Sequence, residues 1–312
     1  GAQTFSKSIT QLPHGVSPYF LTRGEKSHVW DADGNELIDF MMGYGALLLG
    51  HSHPAVTKAV STRLQKGTHM GSATALELHW GELVRDLIPS AERVRFTASG
   101  TESTLLAIRL ARGFTGKTKL VKFREHFHGW HDYVSLDSGI NTLAGIPEET
   151  LSTVIVIDPD IDSLSRLLSD DKDIAAVILE PTGGHWGQFP LQNPSFLKGV
   201  RELTSNHGVV MIMDEVISAF RVSRGGSQAR FGIAPDLTTM AKILAGGLPG
   251  GAVAGGEEIM GLLASDDPLK RIAHPGTFNA NPLSATAGIA CLEILGSEPI
   301  NERADANAEH LK

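Results

Sequence analysis

The rhythm of apolar and polar positions changes near residue 54. From there on, stretches with helical spacing alternate with short apolar runs. "HPAVTKAVSTRLQKG" (53–67) carries Ala55, Val56, Ala59, Val60 and Leu64 on or near one helical face, and "LELHWGELVRDLI" (76–88) repeats the pattern. The runs "RVRFTAS", "KLVKF", "STVIVID", "IAAVILE", "VVMIMDEV" and "AVAGG" read as buried strands. Helical stretches such as "TESTLLAIRLARGF" and "PSFLKGVRELTSNH" lie between several of them. Strands interleaved with helices predict an α/β fold with a mainly parallel sheet covered on both faces. Ligands of such sheets bind at the carboxyl ends of the strands, so "SGTES", "EPTGG", "DEV" and Lys242 are candidates for one shared rim.

The first 50 residues follow a different pattern. "HVWDADGNELIDF" (28–40) is two alternating runs around Asp33-Gly34-Asn35, which predicts a hairpin. Asp31 and Asp33 also suggest a calcium loop, but the glycine comes too early and no glutamate closes it. "HSHP" (51–54) reads as a loop entering a helix with Pro54 at an early helical position. "GTFNANP" (276–282) reads as a cap before a helix starting near Pro282, and "NERADANAEHLK" as a polar helix that simply stops. The start, "GAQTFSKSIT", has the look of a trimmed terminus, and the expectation is of a chain cut before its natural end.

Composition narrows the function classes. At 312 residues the chain permits one large domain or two unequal ones. With 41% hydrophobic and 20% charged residues it has an ordinary globular balance. A net charge of −8 without any basic run argues against a nucleic-acid partner. No apolar stretch reaches membrane-spanning length, and no signal-peptide pattern opens the chain, so no membrane partner is expected. Cys291 is the only cysteine, which rules out an internal disulfide and fits a cytoplasmic location.

The chemistry-bearing candidates each admit a plain reading. In "LTTMAKILAGGLPGGAVAGG" (237–256), Lys242 precedes the glycines, whereas a phosphate-binding P-loop places its lysine after them. No dinucleotide fingerprint can be read there either, so the lysine itself becomes the candidate reactive group. Ser99, Gly100 and Thr101, between a strand and a helix, make an anion site or a plain helix cap. Asp214 and Glu215 end an apolar strand, where a carboxylate suits a cationic ring nitrogen, a helix cap or half of a metal site. His126, His128 and His131 suggest zinc, but without a matching fourth ligand they read better as pocket-lining and solvated side chains. Taken together, a lysine, a strand-end acid, a phosphate cradle and an aromatic block are what pyridoxal phosphate requires.

The order "SGTES", "KFREHFHGWHD", "LEPTGG", "MDEVISAFR", "DLTTMAKILAGGLPGGAVAGG" and "GTFNANPLSATAG" resembles the class III aminotransferases of pyridoxal-phosphate fold type I. The resemblance runs from "GVSPYF" to "LEIL" and is greatest to the glutamate-1-semialdehyde aminomutase branch and its amine- or β-amino-acid-transaminating relatives. It implies Lys242 as the Schiff-base lysine and proton-moving base. Asp214 would partner the ring nitrogen, Val216 and Phe127 would hold the two ring faces, and Ser99, Gly100 and Thr101 the phosphate. His128 and Glu180 would lie beside the cofactor. Thr277 would reach the phosphate of a neighbouring subunit, which implies a homodimer. The partners implied are an amine donor and a carbonyl acceptor. Gly246, Gly247, Gly250 and Gly251 would let the backbone bend close behind the lysine.

The family layout implies an N-terminal arm and part of a small domain over 1–51, a large cofactor domain over 52–290, and the start of a C-terminal small domain over 291–312 that should continue further. Three departures from the family pattern stand out. "GVSPYFLTR" has Tyr19 and Phe20 where the aminomutases carry an arginine, with Arg23 displaced along the chain. "EPTGGHWGQFP" brings His185 and Trp186 into a pocket segment that is usually less bulky, and the resemblance implies a small domain that should continue well beyond Lys312. The expectation is therefore an intermolecular aminotransferase, with the aminomutase as alternative. Two other classes are a non-catalytic cofactor-binding remnant and a metallohydrolase built on the 126–131 histidines.

Overall fold

The computed structural model describes residues 3–8, 11, 13, 15–138, 143–183 and 194–312. Two sheets organise them. A three-stranded antiparallel sheet is formed by β1 (Leu21–Glu25), β2 (His28–Asp31) and β3 (Glu36–Ile38). The hairpin expected around Asp33-Gly34-Asn35 is the β2–β3 pair, with Val29 opposite Leu37. Asp31 builds its turn: Oδ1 accepts from the amides of Asp33 (3.0 Å) and Asn35 (2.8 Å), and Oδ2 from Asn35 Nδ2 (2.8 Å). The carboxylate is thus committed to the turn, as an Asx-type residue is. The alternation of "HVWDADGNELIDF" did not reveal β1, which extends the hairpin into a meander.

The second sheet has seven strands: β4 (Arg93–Thr97), β5 (Lys119–Phe123), β6 (Val154–Ile157), β7 (Ile174–Leu179), β8 (Val210–Asp214), β9 (Leu237–Ala241) and β10 (Gly251–Gly255). Their order is β4-β10-β9-β8-β7-β5-β6. The four pairs from β9 to β6 are parallel, and β10 alone runs against its neighbours β9 and β4. Every residue of β7, β8, β9 and β10 is buried. This is why β7, β8 and β10 do not alternate apolar with polar residues, whereas β9 buries two threonines, Thr238 and Thr239.

Helices cover both faces. On one, Leu106, Ala107 and Leu110 of the helix Gly100–Thr115 pack with Ala176, Ile178, Ile212 and Val253. The alternate residues Val177, Leu179, Met211 and Met213 pack on the other face with Leu164 and Leu168 of the helix Ile161–Asp170 and with Leu197 and Val200 of the helix Pro194–His207. Farther along, Met240, Ala252 and Ala254 meet the helices Ala75–Leu87 and Pro282–Ser297. The helix Pro54–Leu64 corrects one expectation. It packs through Val56, with Ala59 and Val60 half-buried, while Ala55 is exposed and Leu64 is 50% exposed. It lies on the outside of the bundle, where only a narrow stripe is covered.

Trp80 ties this core to the rim. Its side chain is fully buried, stacks on Phe96 with ring centroids 4.0 Å apart, and donates from Nε1 to the carbonyl of Leu244 at 3.0 Å. Leu244 lies in the single helical turn Lys242–Ala245 that follows β9. Trp80→Ala removes the stack and leaves that carbonyl buried without its donor, so a loss of roughly 3–5 kcal/mol is expected. Denaturant unfolding measures it, and Trp80→Phe separates the hydrogen bond from the packing. A loss below about 1 kcal/mol in the alanine variant would contradict this account of the core.

Candidate functional site

The topology brings distant segments to one rim. Because β10 lies between β4 and β9, Gly251 pairs with both Thr97 and Ala241, the last residues of those strands. The segments leaving them, Ser99–Thr101 and Lys242, therefore emerge side by side. The carboxyl ends of β8, β7 and β5 add Asp214, Glu180 and the 126–129 segment. A cavity of about 400 Å³ at this rim is lined by Ser99, Gly100, Thr101, Phe127, His128, Glu180, Asp214, Val216 and Lys242, nine of the ten expected residues. Thr277 is the exception: it is exposed and does not line the cavity within its own chain. A larger open groove of about 1180 Å³ runs along the β4 edge past Arg85, Arg93 and Arg95, and none of the ten lies in it.

Ser99 does what a plain cap does, since its Oγ accepts from the amide of Glu102 at 3.2 Å. Glu102 reciprocates by accepting from the amide of Ala98 at 2.6 Å. The cap reading and the cavity-lining reading both hold, because the helix starts at the cavity wall. Gly100 fits closely there: a Cβ at this position would lie 3.0 Å from one Val216 methyl and 3.1 Å from the other, so the valine would have to shift to admit a side chain. Behind Lys242, Gly246 adopts φ +60°, and a Cβ on it would lie 2.4 Å from the carbonyl oxygen of Ala287. The backbone can turn against the Pro282–Ser297 helix only without a side chain. Lys242 itself adopts a left-handed φ of 52°.

The acidic pair at the end of β8 divides its work. Asp214 faces the cavity, with Oδ2 2.7 Å from His128 Nδ1, and Oδ1 accepting from Thr239 Oγ1 (3.0 Å) and from the amide of Val216 (3.1 Å). Glu215 faces away and is fully buried, accepting from Ser218 Oγ (2.9 Å), the amide of Ser227 (2.6 Å) and Gln228 Nε2 (3.0 Å). Burial raises its carboxyl, against which these donors pull. Glu215 is therefore a structural tie to the start of the helix Gly226–Phe231.

The three histidines are likewise separate. His126 Nδ1 accepts from the amide of Glu180 at 2.9 Å, His128 bonds Asp214, and His131 Nε2 lies 3.2 Å from Thr104 Oγ1. Burial first, then neighbouring His128, pushes His126 down to about 3 and His131 to about 4. Burial also lowers His128, although Asp214 opposes it. In the His128–Asp214 contact the carboxylate can only accept, so the ring's Nδ1 carries the hydrogen. Among the described residues no group of three or more His, Cys, Asp or Glu is arranged to hold a metal ion.

These buried imidazoles make stability fall with acid. The unfolded chain takes up protons near pH 6.5, whereas folded His126 and His131 refuse them until about pH 3 and 4. The contribution of these histidines is full above pH 6.5 and declines as pH drops, by up to roughly 1.4 kcal/mol per pH unit for each. Urea unfolding at pH 7.5 and pH 5 should show the drop, and His131→Gln should make it smaller. A pH-independent midpoint over that window would refute the assignment.

Lys242 approaches the same cavity. Burial lowers its pKa, with Asp214 and Glu180 opposing and Arg221 reinforcing. Glu180 Oε2 accepts from the amide of Phe127 at 2.9 Å, which fixes the 126–129 segment over the strand end. Ala46, Thr104, Gly129 and Leu248 are among the further lining residues and were not foreseen. Ala46 arrives from the N-terminal arm, for which local pattern carries no signal. Arg23, the displaced arginine, lies 3.7 Å over the ring of Trp30 and does not line the cavity. His185 and Trp186 lie outside the described residues.

An amine and a hydrogen-bonded carboxylate thus share one cavity at the strand-end rim of a mainly parallel sheet, where such α/β folds bind their ligands. The family model for class III aminotransferases matches residues 11–312, and the chain belongs to that family of pyridoxal-phosphate-dependent enzymes. It is 41% identical over 295 residues to a glutamate-1-semialdehyde 2,1-aminomutase of Sulfolobus acidocaldarius, covering 92% of this chain and 69% of that one. An ω-transaminase from Sphaerobacter thermophilus superposes with a TM-score of 0.86 at 36% identity, over 92% of this chain and 69% of that one. The β-phenylalanine aminotransferase from Variovorax paradoxus superposes with a TM-score of 0.81 at 31% identity, over 97% and 69%. The chain spans about two thirds of the length of the curated relatives it matches, 69% and 65% of the first two. The fold is that of the fold type I transferases. No helix among the described residues is long and apolar enough to cross a membrane.

Proposed function

We propose that this chain carries out intermolecular amino transfer, moving an amino group from an amine or amino acid, β-amino acids included, to a carbonyl acceptor. The observation that carries the reading is the cavity that joins Lys242 to the His128–Asp214 pair at the start of the Gly100–Thr115 helix. Its residues fit pyridoxal phosphate. About 400 Å³ lies within the range of small-molecule sites, roughly 300–1,000 Å³, and Gly100 leaves the helix start open.

When bound, the cofactor supplies an electron sink for the substrate carbon. Asp214, oriented by His128, Thr239 and the Val216 amide, would hold the ring nitrogen's proton. Phe127 and Val216 would bound the ring on its two sides. Ser99, Gly100 and Thr101 would receive the phosphate at the helix start. Lys242, whose proton is weakly held because the side chain is buried, would attach the cofactor and afterwards carry protons to and from the substrate carbon. Glu180 and His128 keep the surrounding backbone and carboxylate in place. We extend the reading to a cytoplasmic homodimer in which the exposed Thr277 meets the neighbouring subunit's phosphate, and to the division 1–51, 52–290 and 291–312 described above.

Two observations bear on the substrate. No arginine is among the described residues that line the cavity, and Arg23 is stacked on Trp30 instead. This favours a transaminase over an enzyme built around the aminomutase arginine. The aminomutase remains the second reading, because the curated relatives bear that name at 40–45% identity. Protein loaded with pyridoxal phosphate is mixed with amines, α-amino acids and β-amino acids without an acceptor, and its visible absorption followed through one turnover. Loss of the bound-cofactor band with release of a carbonyl product is the expected outcome. Turnover of glutamate-1-semialdehyde alone, without a released carbonyl, would transfer the assignment to the aminomutase. A band that no donor alters would point to a binding remnant.

A further inference from the structure

The turn that brings Ala46 to the cavity is wound left-handed. Met42, Gly43, Tyr44 and Gly45 have φ of 46°, 64°, 56° and 79° in succession. Such a run is disfavoured for residues with side chains and persists only where its surroundings hold it. Asp39 holds the near end, with Oδ1 accepting from the amides of Met41 (2.8 Å) and Met42 (3.0 Å). Arg221 holds the far end, with Nη2 donating to the carbonyls of Gly45 (2.9 Å) and Leu47 (3.0 Å). A Cβ built on Gly45 would lie 3.9 Å from both Arg221 Nε and Lys242 Cδ, so turn, guanidinium and lysine stem lie side by side.

Arg221 is itself held from behind. The preceding Phe220 is fully buried at a left-handed φ of 64°. Asn301 Nδ2 donates to the carbonyls of Phe220 (3.0 Å) and Arg221 (2.8 Å). Asn301 is the one buried residue of the helix Ile300–Leu311. No carboxylate pairs with Arg221 among the described residues, so two backbone carbonyls are the known partners of its guanidinium.

We propose that Asn301 and Arg221 form a two-link clasp through which the Ile300–Leu311 helix fixes the left-handed 42–45 turn beside Lys242. Arg221 is a positioning residue in this arrangement, and Asn301 positions Arg221. The functional meaning rests on the reading of Lys242 as the reactive amine. The clasp itself does not.

Amide hydrogen exchange on the cofactor-free protein tests it, with Arg221→Gln, Arg221→Lys and Asn301→Ala compared with wild type. Residues 42–47 should exchange at least about tenfold faster in Arg221→Gln and Asn301→Ala, with β7 and β8 unchanged. The second readout is the pH dependence of pyridoxal phosphate capture, followed by absorbance. The charged groups facing Lys242 are Asp214 and Glu180, which favour its ammonium, and Arg221, which disfavours it. The pH midpoint should therefore rise in Arg221→Gln and stay at the wild-type value in Arg221→Lys, and an unmoved midpoint in Arg221→Gln would overturn the placement of the guanidinium beside Lys242. Unchanged exchange at 42–47, or protection lost equally through β7 and β8, would overturn the clasp. A change in Arg221→Gln alone would overturn its two-link form. If the wild type captures no pyridoxal phosphate, the aminotransferase reading fails while the exchange result still decides the clasp.

Discussion

Lys242→Ala is expected to lower single-turnover amino transfer by at least about 10³-fold, because it removes the attachment point and the proton carrier together. The fold should survive the change. β9 ends before Lys242, and the Trp80–Leu244 hydrogen bond that anchors the following turn does not involve the lysine side chain. The sign of the stability effect is opposite to that of activity. Burial depresses the lysine in the folded state, so at neutral pH the unfolded chain holds that proton more tightly. Removing the side chain relieves this cost, and the cofactor-free variant should melt at or above the wild-type temperature. Activity within tenfold of wild type would sink the proposed role of Lys242. A collapse of stability would mean instead that the lysine is a structural support.

The second large effect is expected at Asp214. Asp214→Asn keeps the volume but replaces a carboxylate with a group that cannot accept from His128, Thr239 and the Val216 amide at once. We expect turnover to fall by roughly 10²–10³-fold, with cofactor lost faster on dilution. The structural loss should stay within about 1–3 kcal/mol, since one buried donor then faces another. Asp214→Ala strands all three donors and should destabilise more. His128→Gln provides the comparison: a neutral donor to the same oxygen should retain much of the activity if orientation of Asp214 is what His128 supplies. Turnover in Asp214→Asn close to wild type would remove the carboxylate from the proposed mechanism.

Local signals read the fold well where they are strong. Asn281, immediately before Pro282, caps its helix through an Oδ1 that accepts from the amide of Leu283 at 2.9 Å. Pro54 opens its own helix at the first turn. The strand runs of β4 to β8 and β10 match the observed elements: β7, β8 and β10 are fully buried and almost wholly apolar, while β4 alternates exposed arginines with apolar residues. Other elements were less legible. "LTTMA" has too short an apolar run to stand out, yet it forms β9, whose five residues are all buried between β8 and β10. Leu64 was placed on the packed face by its spacing, but spacing cannot tell how wide a stripe the neighbouring helix covers.

The site divides in the same way. Residue type and chain order determined which groups are candidates, since a lysine before glycines, a strand-end aspartate and a capped helix start are short-range features. The same features could not separate Asp214 from Glu215, because both carboxylates follow one strand. The strand's alternation sends one to the cavity and the other to the start of the helix Gly226–Phe231. The wall contributed by Ala46 and the grip of Arg221 on Gly45 and Leu47 were beyond local reading, as they join segments far apart in the chain. The sequence by itself therefore determined the sheet class, the helix ends and the inventory of reactive groups, all governed by interactions over a few residues. Only the tertiary structure decided that β10 runs between β4 and β9, bringing Ser99 and Lys242 to one rim, because strand order is settled by long-range packing of faces that look alike in the sequence.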